Sequence, residues 1–262
     1  MRREGQDMIK FFVDKEDIFE NKIYLSSAED RKHLTKVLRA RPGDEVVISD
    51  KEEWEYETVI EEITDTDVVL AIRNRQKFAQ EPETKVTLYQ GVPKGQKLET
   101  VVQKTVELGV NRIVPVFMER TVVQDKGNFG KKRDRLQKIA DEAVKQCKRG
   151  IIPEVSPAMN FREMKAELEK LNYDAVLVAY ENEKGYSIKD ALRNRESDAP
   201  LRKGSRIALI IGPEGGFEEE EVEQILDEFD RKACAVTLGK TILRTETAGP
   251  AALAMIMYEL EL

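Results

Sequence analysis

Over the first ~75 residues the apolar positions fall in short runs separated by turn-forming residues, a pattern of β-strands. Lys10–Val13, Lys22–Leu25, Glu45–Ser49, Glu55–Ile60 and Asp67–Ile72 read as strands, with Arg41-Pro42-Gly43-Asp44 as a turn. One helix interrupts them, predicted over Glu29–Arg39. Its Leu34, Val37 and Leu38 share a face, and Ser27 is placed to cap its first amides. Closing several short strands into a barrel removes their unpaired edges, so residues 1–76 are expected as a small β-barrel domain. Residues 77–84, with Pro82 among polar neighbours, read as a linker.

The period then changes. Val86–Gln90, Arg112–Phe117, Ala175–Ala179, Arg206–Ile211 and Ala233–Leu238 read as strands. They alternate with predicted helices Gln96–Leu108, Phe129–Arg149, Phe161–Leu171, Ser187–Arg193, Glu218–Phe229 and Ala251–Leu260. Strands alternating with helices predict an α/β domain over 85–262, its parallel sheet covered on both faces.

In such sheets ligands gather beyond the carboxyl ends of the strands, and two loops there stand out. The first, within Leu209–Val222, carries Gly212, Pro213, Gly215 and Gly216 and runs into four consecutive glutamates, Glu218–Glu221. Those acids suit the positive end of the following helix but would repel a phosphate. The second is Leu238–Pro250, which opens with Gly239-Lys240-Thr241. A phosphate-binding loop needs an earlier glycine five residues before that one, and the position holds Cys234. The residues between, Ala235–Leu238, read as strand, so a nucleotide-triphosphate site is excluded. What remains is a polar run, Arg244-Thr245-Glu246-Thr247, ahead of the small residues Ala248, Gly249, Ala251 and Ala252, with Pro250 expected in the first turn of the last helix.

Composition narrows the chemistry. The 262 residues are 40 % hydrophobic and 35 % charged, a globular balance. No apolar run approaches the ~20 residues of a bilayer span, and the first residues lack a secretory apolar core, so a cytoplasmic location is expected. His33 is the single histidine and Cys147 and Cys234 are isolated, which leaves no metal site to expect. The net charge of −7 opposes general affinity for nucleic acid. Cations nevertheless crowd two segments, Arg31–Arg41 and Lys131–Arg149; each is either a solvated helix face or a phosphate-binding patch.

The runs "IIGPEGGFEEEEV" and "LGKTILRTETAGPAAL" resemble the RsmE family of bacterial 16S rRNA (uracil-N3)-methyltransferases, in the SPOUT superfamily. "KHLTKVLRARPGD", "QGVPKGQKLETVVQKTVELGV" and "DEAVKQCKRGIIPEV" extend the likeness over essentially the whole chain; one departure is Lys10, ahead of Phe11-Phe12, where the pattern suggests arginine. The resemblance implies a PUA-like barrel, then a SPOUT-type parallel sheet with a C-terminal trefoil knot, and a homodimer as the catalytic unit. It implies S-adenosylmethionine as cofactor, bound by Val178, Ala179, Ile211, Gly212, Glu214, Gly215, Gly216, Leu238, Gly239, Ile242, Leu243 and Thr247. Arg244 and Glu246 are the expected catalytic residues. Arg244 either stabilises charge on the uracil or only pairs with Glu246 to shape the loop; Glu246 is a base only if desolvated. The expected contacts to 16S rRNA in the 30S subunit are Arg31, Lys32, His33, Arg39, Lys94 and Arg149. The alternative is a non-catalytic rRNA-binding or ribosome-assembly protein that kept the fold.

Overall fold

The computed structural model describes residues 10–78, 81–123, 127, 129–193 and 200–262, and contacts divide the chain into two units. The first comprises residues 1–81 together with 144–152, the second residues 82–143 and 153–262.

In the first unit, strands β1 (Lys10–Phe12), β2 (Ile18–Phe19), β3 (Lys22–Leu25), β4 (Glu45–Ser49), β5 (Trp54–Ile63) and β6 (Val68–Lys77) form one sheet in the order β1-β4-β5-β6-β3-β2. Inward residues from five of these strands, among them Phe11, Ile23, Ile48, Ile60 and Leu70, meet in a single core with Leu34. Strand β6 runs five residues beyond its expected end at Ile72, because its last residues pair with the start of β5, Trp54 opposite Lys77. The helix expected over Glu29–Arg39 is shorter. Helix α1 covers Ala28–Lys32, capped by the Ser27 hydroxyl, and His33–Val37 winds into a wider π-turn closed by Leu38 N to His33 O at 3.0 Å. Arg39 then takes φ +55, outside the helical range.

A buried ion pair holds the two pieces of this unit together. The Glu81 carboxylate accepts from the Arg149 guanidinium (2.9 Å) and from the amides of Gly150 (2.7 Å) and Ile151 (3.0 Å). The Ser49 hydroxyl donates to the Gly150 carbonyl at 2.5 Å. Lys10 is used in the same way: its ammonium pairs with Glu55 at 2.5 Å and donates to the Lys148 carbonyl at 3.1 Å.

The second unit is built on an all-parallel sheet. Its strands are β7 (Lys85–Gly91), β8 (Arg112–Phe117), the short β9 (Glu154–Val155) and β10 (Met159–Asn160), β11 (Ala175–Ala179), β12 (Arg206–Ile211) and β13 (Ala233–Val236). The main order is β10-β8-β7-β12-β11-β13, and β9 pairs with β8. The helices are α2 (Lys97–Glu107), α3 (Phe129–Cys147, whose last residues belong to the first unit), α4 (Phe161–Leu171), α5 (Ile188–Arg193), α6 (Glu219–Phe229) and α7 (Thr245–Glu261). Central strands β7, β11 and β12 are buried along almost their whole length; the apolar runs of β11 and β12 require it, and β7 carries buried Thr87 and Gln90 among its apolar residues. Among the described residues no helix is long and apolar enough to cross a membrane.

Burial pushes the Glu81 carboxyl up, but the Arg149 guanidinium and the two amides outweigh it and hold it below the ordinary carboxylate range. A carboxyl lowered on folding contributes stability that is complete above its unfolded value and disappears as pH falls through the folded one. Arg149→Met leaves the carboxylate buried without its cation. It is expected to lower the unfolding free energy by ~3–5 kcal/mol at neutral pH, with a smaller difference between the two proteins below about pH 4; urea titrations at the two pH values measure both.

Candidate functional site

Strand register brings the site together. Ala179 lies opposite Ile211 on one side and Val236 on the other, and Ile211 lies opposite Gln90. Four parallel strands thus end at one level, and three of the segments that leave them wall a cavity of about 970 Å³. From the ends of β11 and β12 come Ala179, Ile211, Gly212, Glu214, Gly215 and Gly216; from the run after β13 come Leu238, Gly239, Ile242, Leu243, Arg244 and Glu246. Single ligands occupy cavities of roughly 300–1,000 Å³. Two glycines are needed on steric grounds. Gly216 has φ +71, a backbone conformation that side-chain-bearing residues rarely adopt. A Cβ on Gly91 would lie 2.4 Å from the Pro213 nitrogen, so the end of β7 and the loop after β12 touch backbone to backbone.

The last helix begins earlier than its apolar pattern indicates, at Thr245 and not Ala251. Arg244 is its N-cap residue with extended backbone (φ −66, ψ 150), and its carbonyl accepts from the amides of Thr247 and Ala248, both at 2.8 Å. Pro250 therefore lies inside the helix, beyond the first turn, and has no N–H to offer the Glu246 carbonyl. The cause of the early start is buried. Thr245 Oγ1 donates to the Gly212 carbonyl (2.7 Å) and accepts from Gln90 Nε2 (2.8 Å), with Gln90 wholly buried and Thr245 6 % exposed. One hydroxyl thereby links both loops to β7.

Charge around the cavity is unevenly partnered. Glu214 accepts from Lys97 Nζ (2.9 Å) and from the Lys94 amide (3.0 Å). Burial raises its carboxyl, and these donors outweigh that and hold it below the usual range. Glu214 is thus already neutralised by a lysine. Arg120 clamps the rim, donating to both Glu218 oxygens (2.7 and 2.8 Å) and to the Gly215 carbonyl (3.2 Å). Glu221 caps α6 at Glu218 N and accepts from Glu119 N at 3.1 Å. The acidic turn is in this way consumed by structure. Two groups are different. Among the described residues the Arg244 side chain has no hydrogen-bond or ion-pair partner, Glu246 included. Among the described residues Glu246 Oε2 is buried with no hydrogen bond, and the cation that pairs with it is Lys97, with Nζ at 3.8 Å.

Other expected residues stand elsewhere. Val178 is fully buried in the core of the sheet, and Thr247, though exposed, is not part of the cavity wall. In the first unit Lys32, His33 and Arg39 are exposed along one short segment, with the His33 ring set edge-on to Phe11. Arg31 is half-buried and donates to the Asp65 carbonyl. Arg149 is 6 % exposed and committed to Glu81, which takes it off the solvent-facing surface. Lys94 in the second unit is exposed. Sequence reading missed Lys97, Gln90 and the anchoring role of Thr245. The signal for Gln90 was present: an amide at the end of the apolar strand "VTLY". For Thr245→Val the isosteric side chain leaves Gln90 Nε2 and the Gly212 carbonyl without this partner. Denaturant titration should show a loss of ~1–3 kcal/mol, and less than ~1 kcal/mol for Thr245→Ser.

The RNA methyltransferase domain family matches residues 80–257, and the RNA methyltransferase PUA domain family matches residues 27–73. The ribosomal RNA small subunit methyltransferase E of Bacillus subtilis is 33 % identical over 258 residues, covering 97 % of this chain and 98 % of the relative. The crystal structure of the enzyme of that name from Neisseria gonorrhoeae, bound to S-adenosyl methionine, is 28 % identical, with TM-score 0.76 over 97 % of this chain and 98 % of that one. A putative methyltransferase from Legionella pneumophila, also solved with bound S-adenosyl methionine, gives the same identity, coverage and TM-score. With both domain families in order and a full-length relative above 30 % identity, the chain belongs to the ribosomal RNA small subunit methyltransferase E family.

Proposed function

We propose that the protein methylates N3 of a specific uridine in 16S rRNA, in the small ribosomal subunit, with S-adenosylmethionine as donor. The observation that carries this reading is the pair Arg244 and Glu246. Among the described residues Arg244 is an exposed guanidinium with no partner and Glu246 a carboxylate with no hydrogen bond, and both line a single cavity. A purely RNA-binding role could use the arginine but gives the acid beside it no purpose.

The residues present fit the cofactor. A Cβ at Gly216 would push into the Glu181 carboxylate on the cavity wall, and Gly212 and Gly215 let the loop pack against Phe217 and Arg120. Glu181 places an acid beside the space where a sulfonium would lie. Ala179, Ile211, Gly212, Leu238, Gly239, Ile242 and Leu243 would hold the adenosine part, and Gly215 and Gly216 would lie along the rest. When bound, the cofactor supplies a methyl group on a sulfonium, an electrophile in need of an electron pair. Uracil N3 bears a hydrogen and is a weak nucleophile until that proton leaves. The solvent-accessible oxygen of the Glu246 carboxylate accepts the N3 proton, and the Arg244 guanidinium faces the charge that grows on the uracil carbonyl oxygens. Three of the expected RNA contacts in the first unit, Lys32, His33 and Arg39, are exposed on one short segment and available to rRNA phosphates, and Lys94 is an exposed cation of the second unit. The link from Thr245 to Gly212 and Gln90 suits a C-terminal segment drawn through a trefoil knot. Met255 and Tyr258, 39 % and 68 % exposed on α7, suit a homodimer, and the reaction belongs in the cytoplasm, where ribosomes are assembled.

Arg244→Ala should lower kcat for methyl transfer to unmodified 30S subunits by about 10²–10³-fold, with the calorimetric Kd for S-adenosylmethionine nearly unchanged. Equal loss in both would return Arg244 to a structural role. Arg39→Ala should weaken rRNA binding and reduce the slope of log K against log salt by about one, as read by filter binding at graded salt.

A further inference from the structure

We propose that Lys97 is a positioning residue of this site, fixing the Glu246 carboxylate at the cavity wall while leaving Arg244 unpaired; the inference rests on the methyl-transfer reading above. Lys97 is the first residue of α2, where the helix dipole disfavours a cation, and its N-cap residue Gln96 supplies no side-chain cap. Two carboxylates from separate segments hold it there nonetheless: Glu214 from the loop after β12 at 2.9 Å and Glu246 from the first turn of α7 at 3.8 Å. The third acid within reach of that helix start, Glu99, is engaged by Arg135 at 3.0 Å.

The two distances divide the work. Glu214 takes the direct hydrogen bond, and Glu246 feels the charge while its buried Oε2 stays without a donor. Oε2 thus faces Lys97 in the interior, and the other carboxylate oxygen, not sealed from solvent and without a protein donor among the described residues, keeps its lone pairs for an incoming N–H. Arg244 and Glu246 are two residues apart at a helix start, a spacing at which side chains do not face each other. Lys97 is the cation that lets Glu246 be neutralised without drawing Arg244 out of the cavity. Removing it leaves Glu214 and Glu246 as two carboxylates with no cation between them.

The test is a double-substitution cycle read with the full-length protein and unmodified 30S subunits. Lys97→Met should lower kcat by about 10- to 100-fold, the range for a misplaced catalytic group. KM for the subunit and the calorimetric Kd for S-adenosylmethionine should stay within about threefold, and Lys97→Arg should regain most of the rate. In the Glu246→Gln background the same Lys97→Met change should alter the residual rate by less than about twofold, because its target is gone. The idea is overturned if Lys97→Met costs the same factor in both backgrounds, if cofactor affinity falls in step with kcat, or if Lys97→Arg is as slow as Lys97→Met. A wild-type protein that binds the cofactor yet methylates no subunit would instead remove the underlying reading, and this inference with it.

Discussion

A single hydroxyl sets the geometry of the site. Thr245 must accept from Gln90 and donate to Gly212 at once, which a hydroxyl can do and a methyl cannot. Both partners lie at the ends of neighbouring parallel strands, so their spacing is inherited from the sheet's register. Fixing Thr245 there fixes the first turn of α7, and with it the residues on either side, Arg244 and Glu246. The groups proposed for chemistry are thus placed by a polar contact sealed from water, where it is stronger than at the surface.

Around this link the ionic groups fall into two sets. Most are spent on structure. Arg112 forks onto both oxygens of Glu167 at 2.9 and 3.1 Å, and Tyr89 shares the same carboxylate at 2.8 Å. Burial foremost, then hydrogen bonding to Tyr173 and Glu167, raises the Tyr89 hydroxyl's pKa far above the ordinary tyrosine range, so it stays a neutral donor at any physiological pH. Arg120 with Glu218, and Glu81 with Arg149, follow the same rule of complete satisfaction. Against that background Arg244, exposed and unpaired among the described residues, and Glu246, with one buried oxygen lacking a hydrogen bond, stand together at the cavity. Arg244 is solvent-exposed and so carries no burial penalty, whereas the bare Glu246 Oε2 and the nearby Gln90 Oε1 are buried without a hydrogen bond, a cost that a ligand-binding role would explain.

Much of this was legible in the sequence. Alternation of apolar strands and amphipathic helices carried the parallel sheet, with β8, α4, β11 and β12 expected within their observed bounds. The two loops at the strand ends were legible as well, because glycine clusters and a polar run beside small residues depart from plain connection chemistry. The early start of α7 was not, since residues 245–250 lack an apolar stripe and the helix is held there by the contact of Thr245 with a residue 33 positions away. The extension of β6 was hidden for a similar reason, being fixed by its pairing with β5, and the π-turn at His33–Val37 departs from the α-helical spacing by one residue through the local bond from Leu38 N to His33 O. Arg149 misled because a cation in a basic run looks like surface, while its carboxylate partner lies 68 residues earlier in the chain.

That same pair has a consequence for the order of events on a translating ribosome. Residues 1–81 leave the exit tunnel first, yet the segment 144–152 that completes their unit follows only after residues 82–143 have been made. Until then the Glu81 carboxylate lacks its guanidinium and the Ser49 hydroxyl its carbonyl acceptor. Vectorial synthesis ordinarily lets an N-terminal domain close before the next begins. Here the N-terminal part has to wait, its maturation interleaved with that of the domain behind it.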